Sequence, residues 1–188
     1  MENYELVLLL DSKTKESDCK SFISDLEKNL KDNIVSKDEI GLMDLLYPLK
    51  GVQVNDKAYF YSYYLQLDTA NIKDIKQLFL YNNIILKYDI FRRTKKQIGF
   101  EFKPLQKELQ DIINGWEEKK LGQKISFFAD LKNAKYINWK SIPMFKKYIT
   151  RFGDIKPRKY TNNGVSIQKK LRKEIIRARN FGLIEFIK

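Results

Sequence analysis

Histidine is missing from this chain altogether, and cysteine occurs once, as Cys19. Without histidine, neither a Ser-His-Asp nor a Cys-His catalytic site can be built. A lone thiol supplies neither a disulfide framework nor a Cys/His zinc site, and it suits a reducing compartment. Gly-rich phosphate loops are absent, and the basic segments hold too few carboxylates for a metal-dependent nuclease. No apolar run approaches the ~20 residues of a membrane span. The apolar stretch 6–10 lacks the basic flank and cleavage site of a signal peptide, so it reads as a strand. The sequence therefore predicts no catalytic residue, no metal, no cofactor, no small-molecule substrate and no membrane partner. A fold that starts at the first residues, with no room for a presequence, points to a cytoplasm or to an organelle with its own genome.

What is present is unevenly placed. The last 58 residues carry 16 Lys or Arg and only 3 Asp or Glu, a net +13, whereas the first 130 carry 20 basic and 21 acidic residues. A neutral front joined to a cationic end implies that the end binds a polyanion. At 43% hydrophobic residues the chain can still build cores, so the charge does not signal disorder.

Periodicity in the front half alternates between two and 3.6. Residues 4–10 read as a strand, and residues 17–31 put Phe22, Ile23, Leu26 and Leu30 on one helical stripe. Strands follow at 34–49 and 58–67, then a helix at 71–80 and a last strand at 84–91. Strand, helix, strand, strand, helix, strand is the order of a ferredoxin-like fold, a four-stranded antiparallel sheet with both helices on one face. The third strand, AYFYSYYLQL, carries aromatic groups on both faces, so Tyr59, Tyr61 and Tyr63 are expected on an open face that docks a partner. An RNA-recognition-motif-like sheet in a free-standing RNA-binding regulator is the alternative reading of this strand. Phe60 stands where that motif needs a small residue.

Arg92 and Arg93, with Thr94, Lys95 and Lys96, form a basic patch that offers phosphate contacts. A helix follows from Pro104 to Lys119, with Leu105, Leu109, Ile112, Ile113 and Trp116 as its stripe and Gly122 as its stop. In the cationic end, Ser141 caps a helix whose stripe is Phe145, Tyr148, Ile149 and Phe152, ended by Gly153. Residues 155–160 are expected to be extended, because Pro157 keeps Lys156 out of the helical region. Residues 161–164 are turn chemistry. A final helix, 166–180, has Ile167, Leu171, Ile175 and Ala178 in a narrow arc with cations around the rest.

Two segments resemble known families. The run GLMDLLYPLK at 41–50, with Tyr4-Glu5-Leu6 and the aromatic third strand, resembles the bacterial small-subunit ribosomal protein six family over residues 1–93. From Tyr136 onward, Phe152-Gly153, Ile155, Pro157-Arg158, Thr161, Gln168, Leu171 and Arg177-Ala178-Arg179 resemble the small-subunit ribosomal protein eighteen family. The resemblance implies a fused heterodimer: a ferredoxin-like domain at 1–93, a helical connector at 94–124 and a small basic all-α, helix-turn-helix-like RNA-binding module at 125–188. The implied fold class is α+β. It also implies a structural role in the small ribosomal subunit, binding the central domain (platform) of small-subunit ribosomal RNA beside neighbouring small-subunit ribosomal proteins. The expected phosphate contacts are Lys156, Arg158, Lys159, Lys169, Lys170, Arg172, Lys173, Arg177 and Arg179, with Arg92 and Arg93. The expected docking residues are Tyr59, Tyr61, Tyr63, Phe127 and Phe128.

Overall fold

The apolar run after Asn3 forms the first strand of a four-stranded antiparallel sheet of order β2-β3-β1-β4. Its strands are β1 (Glu2–Asp11), β2 (Ile34–Asp44), β3 (Lys57–Leu67) and β4 (Ile85–Arg93), with helices α1 (Glu16–Leu30) and α2 (Asn71–Phe79) between them. This is the ferredoxin-like arrangement the periodicity predicts. The computed structural model describes residues 2–47, 49, 57–94, 99–117 and 127–186, which fall into two compact units, Met1–Gly99 and Phe100–Lys188.

In the first unit, Cys19, Ile23, Leu26 and Leu30 of α1 and Ile75 and Phe79 of α2 recur at helical spacing and are buried against Leu6, Leu8 and Leu10 of β1. Burial, reinforced by the carboxylates of Asp18, Asp11 and Glu16, pushes the Cys19 thiol upward, so it is a packed, unreactive thiol. β2 ends earlier than predicted because its partner β3 begins only at Lys57, opposite Asp44. Pro48 and the loop 50–56 lie outside the described residues. A register shift between Glu39 and Gly41 marks a bulge, and Gly41 sits there at φ +90, a conformation that glycine adopts without strain.

The three tyrosines do not lie where the aromatic count suggested. β1 pairs Leu6 with Tyr63, Leu8 with Tyr61 and Leu10 with Tyr59. Residues directly opposite share a face, so Tyr59, Tyr61 and Tyr63 face the helices and pack into the same core as the leucines. The Tyr63 hydroxyl donates to Glu27 Oε1 at 3.0 Å. Burial first, then the Glu27 carboxylate, raise its pKa far above the usual tyrosine value. The opposite face carries Phe60, which is fully buried and gives no exposed platform for a base. Tyr64 is on that face too, and Gly99 runs so close to its ring that a Cβ there would lie 3.0 Å from it.

The second unit opens with α3 (Phe102–Glu117), whose Pro104 sits in the first turn and whose Leu105, Leu109 and Ile113 are buried. The predicted stop at Gly122 lies outside the described residues. The helix expected to be a connector packs within this unit. Gln106 donates its amide to the Lys140 carbonyl, the Tyr136 hydroxyl donates to Glu108 Oε1 at 2.5 Å, and Lys140 Nζ donates to the Phe100 carbonyl at 2.8 Å. Two 3-10 turns, Phe127–Ala129 and Leu131–Tyr136, lead to α4 (Ile142–Tyr148), α5 (Arg158–Thr161) and α6 (Val165–Asn180). Trp139, Phe145, Tyr148, Leu171, Ile175 and Phe181 form its fully buried centre. Phe127 and Phe128 belong to this interior: their rings meet edge-on at 5.2 Å, and the Phe128 N–H donates to Tyr148 Oη at 3.1 Å.

Two local expectations are corrected. α4 stops at Tyr148 rather than running to Phe152, because β-branched Ile149 turns extended and bridges Ile155 antiparallel. The Thr150 N–H donates to the Asp154 carbonyl at 2.7 Å and the Lys156 N–H to the Tyr148 carbonyl at 2.8 Å, which closes a small hairpin. Gly153 takes φ +89 in its tip. After Pro157 the chain does not stay extended. Proline restrains the residue before it, not those after it, so Arg158–Thr161 coil into one helical turn, ended by Asn162 at φ +54.

Candidate nucleic-acid interface

Gln168, in the first turns of α6, fixes the geometry of the basic face. Its Nε2 donates to the Lys156 carbonyl at 2.9 Å, while its Oε1 accepts from Thr161 Oγ1 at 3.3 Å and Asn163 Nδ2 at 3.0 Å. One side chain thus ties the hairpin's exit, the α5 turn and the loop before α6 together. Arg158 Nε donates to the Asn163 carbonyl at 3.0 Å, which orients an exposed guanidinium. The walls these contacts set up enclose an open groove of about 1000 Å³ between the hairpin, α5, α6 and the C-terminal segment.

The predicted cations separate into two groups. Arg158 and Lys159 on α5, and Lys169, Arg172 and Lys173 on α6, are exposed. Arg158, Lys159 and Arg172 line the groove itself. The others are wholly or partly committed to the protein. Lys170 is half-buried, and Lys156 Nζ donates to the Lys147 carbonyl at 2.8 Å. Arg177 pairs with Glu174 at 2.5 Å, and the other oxygen of this buried carboxylate accepts the Trp139 N–H at 3.1 Å. Arg179 is buried: its guanidinium donates to the Gly153 carbonyl and, at 3.1 Å, to the Glu185 carbonyl. Burial draws its pKa down, offset in part by Asp154. Arg177 and Arg179 are thus engaged first by protein acceptors, which lowers what they can offer an anion, although Arg179 also lines the groove.

The patch at the end of β4 divides the same way. Arg92 is exposed and forms a 2.5 Å ion pair with Glu2. Arg93 is buried; its Nε donates to Glu5 Oε2 at 2.6 Å, and Ser62 Oγ donates to Glu5 Oε1 at 3.1 Å. Arg93 is therefore a structural partner of Glu5 and not a phosphate ligand. Lys95 and Lys96 lie outside the described residues. Sequence reasoning missed the apolar side of the groove, Ile155, Pro157, Ile176 and Phe186, and the acid Asp154 in its lining. Charge density pointed to the cations, whereas no periodic signal marks side chains brought together from a hairpin, a helix and a tail.

Among the described residues, no group of carboxylates or thiols could hold a metal and no helix is long and apolar enough to cross a membrane. Residues 133–184 match the family model of Ribosomal protein S18, and residues 3–92 match that of Ribosomal protein S6. The Small ribosomal subunit protein bS18 of Mycoplasma capricolum is 35% identical over 65 residues, 35% of this chain and 85% of that protein. The protein of the same name from Clostridium acetobutylicum is 36% identical over 73 residues, 39% of this chain and 80% of its own length. The chain belongs to the ribosomal protein S18 family. With the S6 match ahead of it, it is a fusion of the two. A crystal structure of 30S ribosomal protein S6 from Thermotoga maritima aligns with 62% of this chain and 97% of its own at 13% identity, with a TM-score of 0.45. Both families are ribosomal proteins and not enzymes. The S18 match spans the groove from Gly153 to Arg179, while α3 falls inside neither match.

Proposed function

We propose that this small-subunit ribosomal protein binds the central domain of small-subunit ribosomal RNA, on the platform, and aids its assembly. The exposed cations of the α5–α6 face are the contact. The observation that carries this reading is the set Arg158, Lys159, Lys169, Arg172 and Lys173, all exposed, beside a groove whose lining holds Asp154 as its single acid among the described residues. Lysine and arginine aligned on one solvated face are what a phosphate backbone requires. The partners in this reading are that RNA and neighbouring small-subunit ribosomal proteins. Fusion would add effective concentration, since a tether turns a bimolecular meeting of the two halves into an intramolecular one at roughly millimolar strength.

Filter binding of the whole chain to a central-domain RNA fragment across a KCl series tests this. Five exposed cations predict a slope of log affinity against log salt of about −3.5 to −4.5, at roughly 0.7–0.9 per phosphate. The double variant Arg158→Ala/Arg172→Ala should flatten it by about 1.4 to 1.8. A slope that the double variant leaves unchanged sinks the assignment of this face.

A further inference from the structure

The groove is poorly suited to phosphate alone. One wall is apolar: Phe186 is 44% and Ile176 37% exposed, with Ile155 and Pro157 beside them. An anion gains nothing from such a wall, and water is excluded from it only when something flat or oily covers it. Asp154 is the second misfit, since an exposed carboxylate in the lining repels a phosphate placed near it. Together the three chemistries (cations, an apolar wall and one acceptor carboxylate) match the phosphate, the flat face and the donor edge of a nucleotide.

Resting on the RNA-binding reading above, we propose that the groove holds one unpaired RNA nucleotide. Its base lies on Phe186 and Ile176, its phosphate meets Arg158 and Arg172, and its N–H edge donates to Asp154. Sequence-selective RNA recognition commonly takes unpaired bases that stack on aromatic rings and offer their Watson–Crick edges. Guanine fits best, because two adjacent N–H donors match the two oxygens of a carboxylate, whereas uracil offers one. A volume of about 1000 Å³ has room for a single nucleotide. The site is preorganised by Arg179. Its guanidinium lies 5.5 Å from the Phe186 ring centre while it holds the Gly153 and Glu185 carbonyls, so the hairpin, α6 and the tail keep a fixed spacing. Arg179 is thus a positioning residue and the ring it steadies is the stacking surface.

The test uses the whole chain and five labelled RNA hairpins: a fully paired parent and four that carry one bulged G, C, A or U. Fluorescence anisotropy at one salt concentration should show the bulged-G hairpin bound about five- to tenfold tighter than the parent, the low end of what one base–aromatic stack gives. Phe186→Ala should bring that preference within about twofold of unity. Asp154→Asn, an exposed and nearly isosteric change, should narrow the gap between G and U. Equal binding of all five hairpins by the wild type overturns the nucleotide slot and leaves the RNA reading standing. A preference for bulged G that survives both variants also overturns it. If none of the five binds while the central-domain fragment does, the slot is overturned and the RNA reading stands; if the fragment fails as well, both fall.

Discussion

Arg92 and Arg93 are neighbours of one chemistry with opposite environments, and their alanine variants should differ by several kcal/mol. The Arg93 side chain is 4% exposed and its partner Glu5 0%, whereas Arg92 is 69% exposed beside a Glu2 at 35%. Removing Arg93 takes the guanidinium away from a buried carboxylate whose other oxygen accepts from the Ser62 hydroxyl. Breaking a buried pair from one side costs about 3–5 kcal/mol, mostly as the desolvated charge left behind. The exposed pair contributes roughly 0.2–1 kcal/mol. Replacing both partners by apolar groups, Glu5→Leu with Arg93→Met, should recover most of the loss, with about 1 kcal/mol remaining for the Ser62 hydroxyl. Trp116 and Trp139 both lie in the second unit, so tryptophan fluorescence is not a local probe of this pair. Hydrogen exchange of β1 and β4 amides reports it directly. Arg93→Ala within about 1 kcal/mol of wild type, or no worse than Arg92→Ala, would refute the assignment of Arg93 as a structural cation.

In the second unit, burial raises the Tyr148 hydroxyl to about 12, against some relief from the Phe128 and Phe127 backbone groups. The unfolded chain ionises this tyrosine near 10, so its contribution is intact below pH 10. It is lost between pH 10 and 12 at ~1.4 kcal/mol per unit. Tryptophan-monitored unfolding should show that alkaline loss in the wild type and a reduced one in Tyr148→Phe. Gly153→Ala forces a Cβ into φ +89 at a cost of about 1–2 kcal/mol. Because the Gly153 carbonyl also accepts from Arg179, RNA affinity should fall while the salt slope stays; a changed slope would count against the positioning role of this hairpin.

Period-two and period-3.6 patterns marked the four strands and the two α-helices of the first unit, since helices and sheet share an apolar layer. The face of each strand was harder to read. AYFYSYYLQL is bulky at nearly every position, so alternation carries no sign, and only pairing with Leu6, Leu8 and Leu10 assigns Tyr59, Tyr61 and Tyr63 to the helix side. The end of α4 was illegible for a related reason. Ile149 and Phe152 fit a helical stripe as well as they fit a hairpin, and the backbone bonds from Thr150 to Asp154 and from Lys156 to Tyr148 decide between them. Exposure of the cations was not readable at all, because it depends on which carbonyls the fold leaves within reach.

That dependence explains why a net +13 overstates the anion-binding surface. A segment of 58 residues with three acids cannot neutralise its cations by ion pairing. Its buried and half-buried ones turn to main-chain oxygens instead: Lys140 to Phe100, Lys156 to Lys147, Arg179 to Gly153 and Glu185. Such bonds satisfy carbonyls that helix ends and tight turns leave open, so part of the basic composition is the mortar of a small helical unit. Of the three acids, Glu174 is also structural, capping Trp139 and holding Arg177, and Glu185 offers its carbonyl to Arg179. Asp154 is the acid of the groove lining among the described residues; it partly offsets the burial of Arg179, and in the proposed slot its carboxylate also accepts from the donor edge of the base.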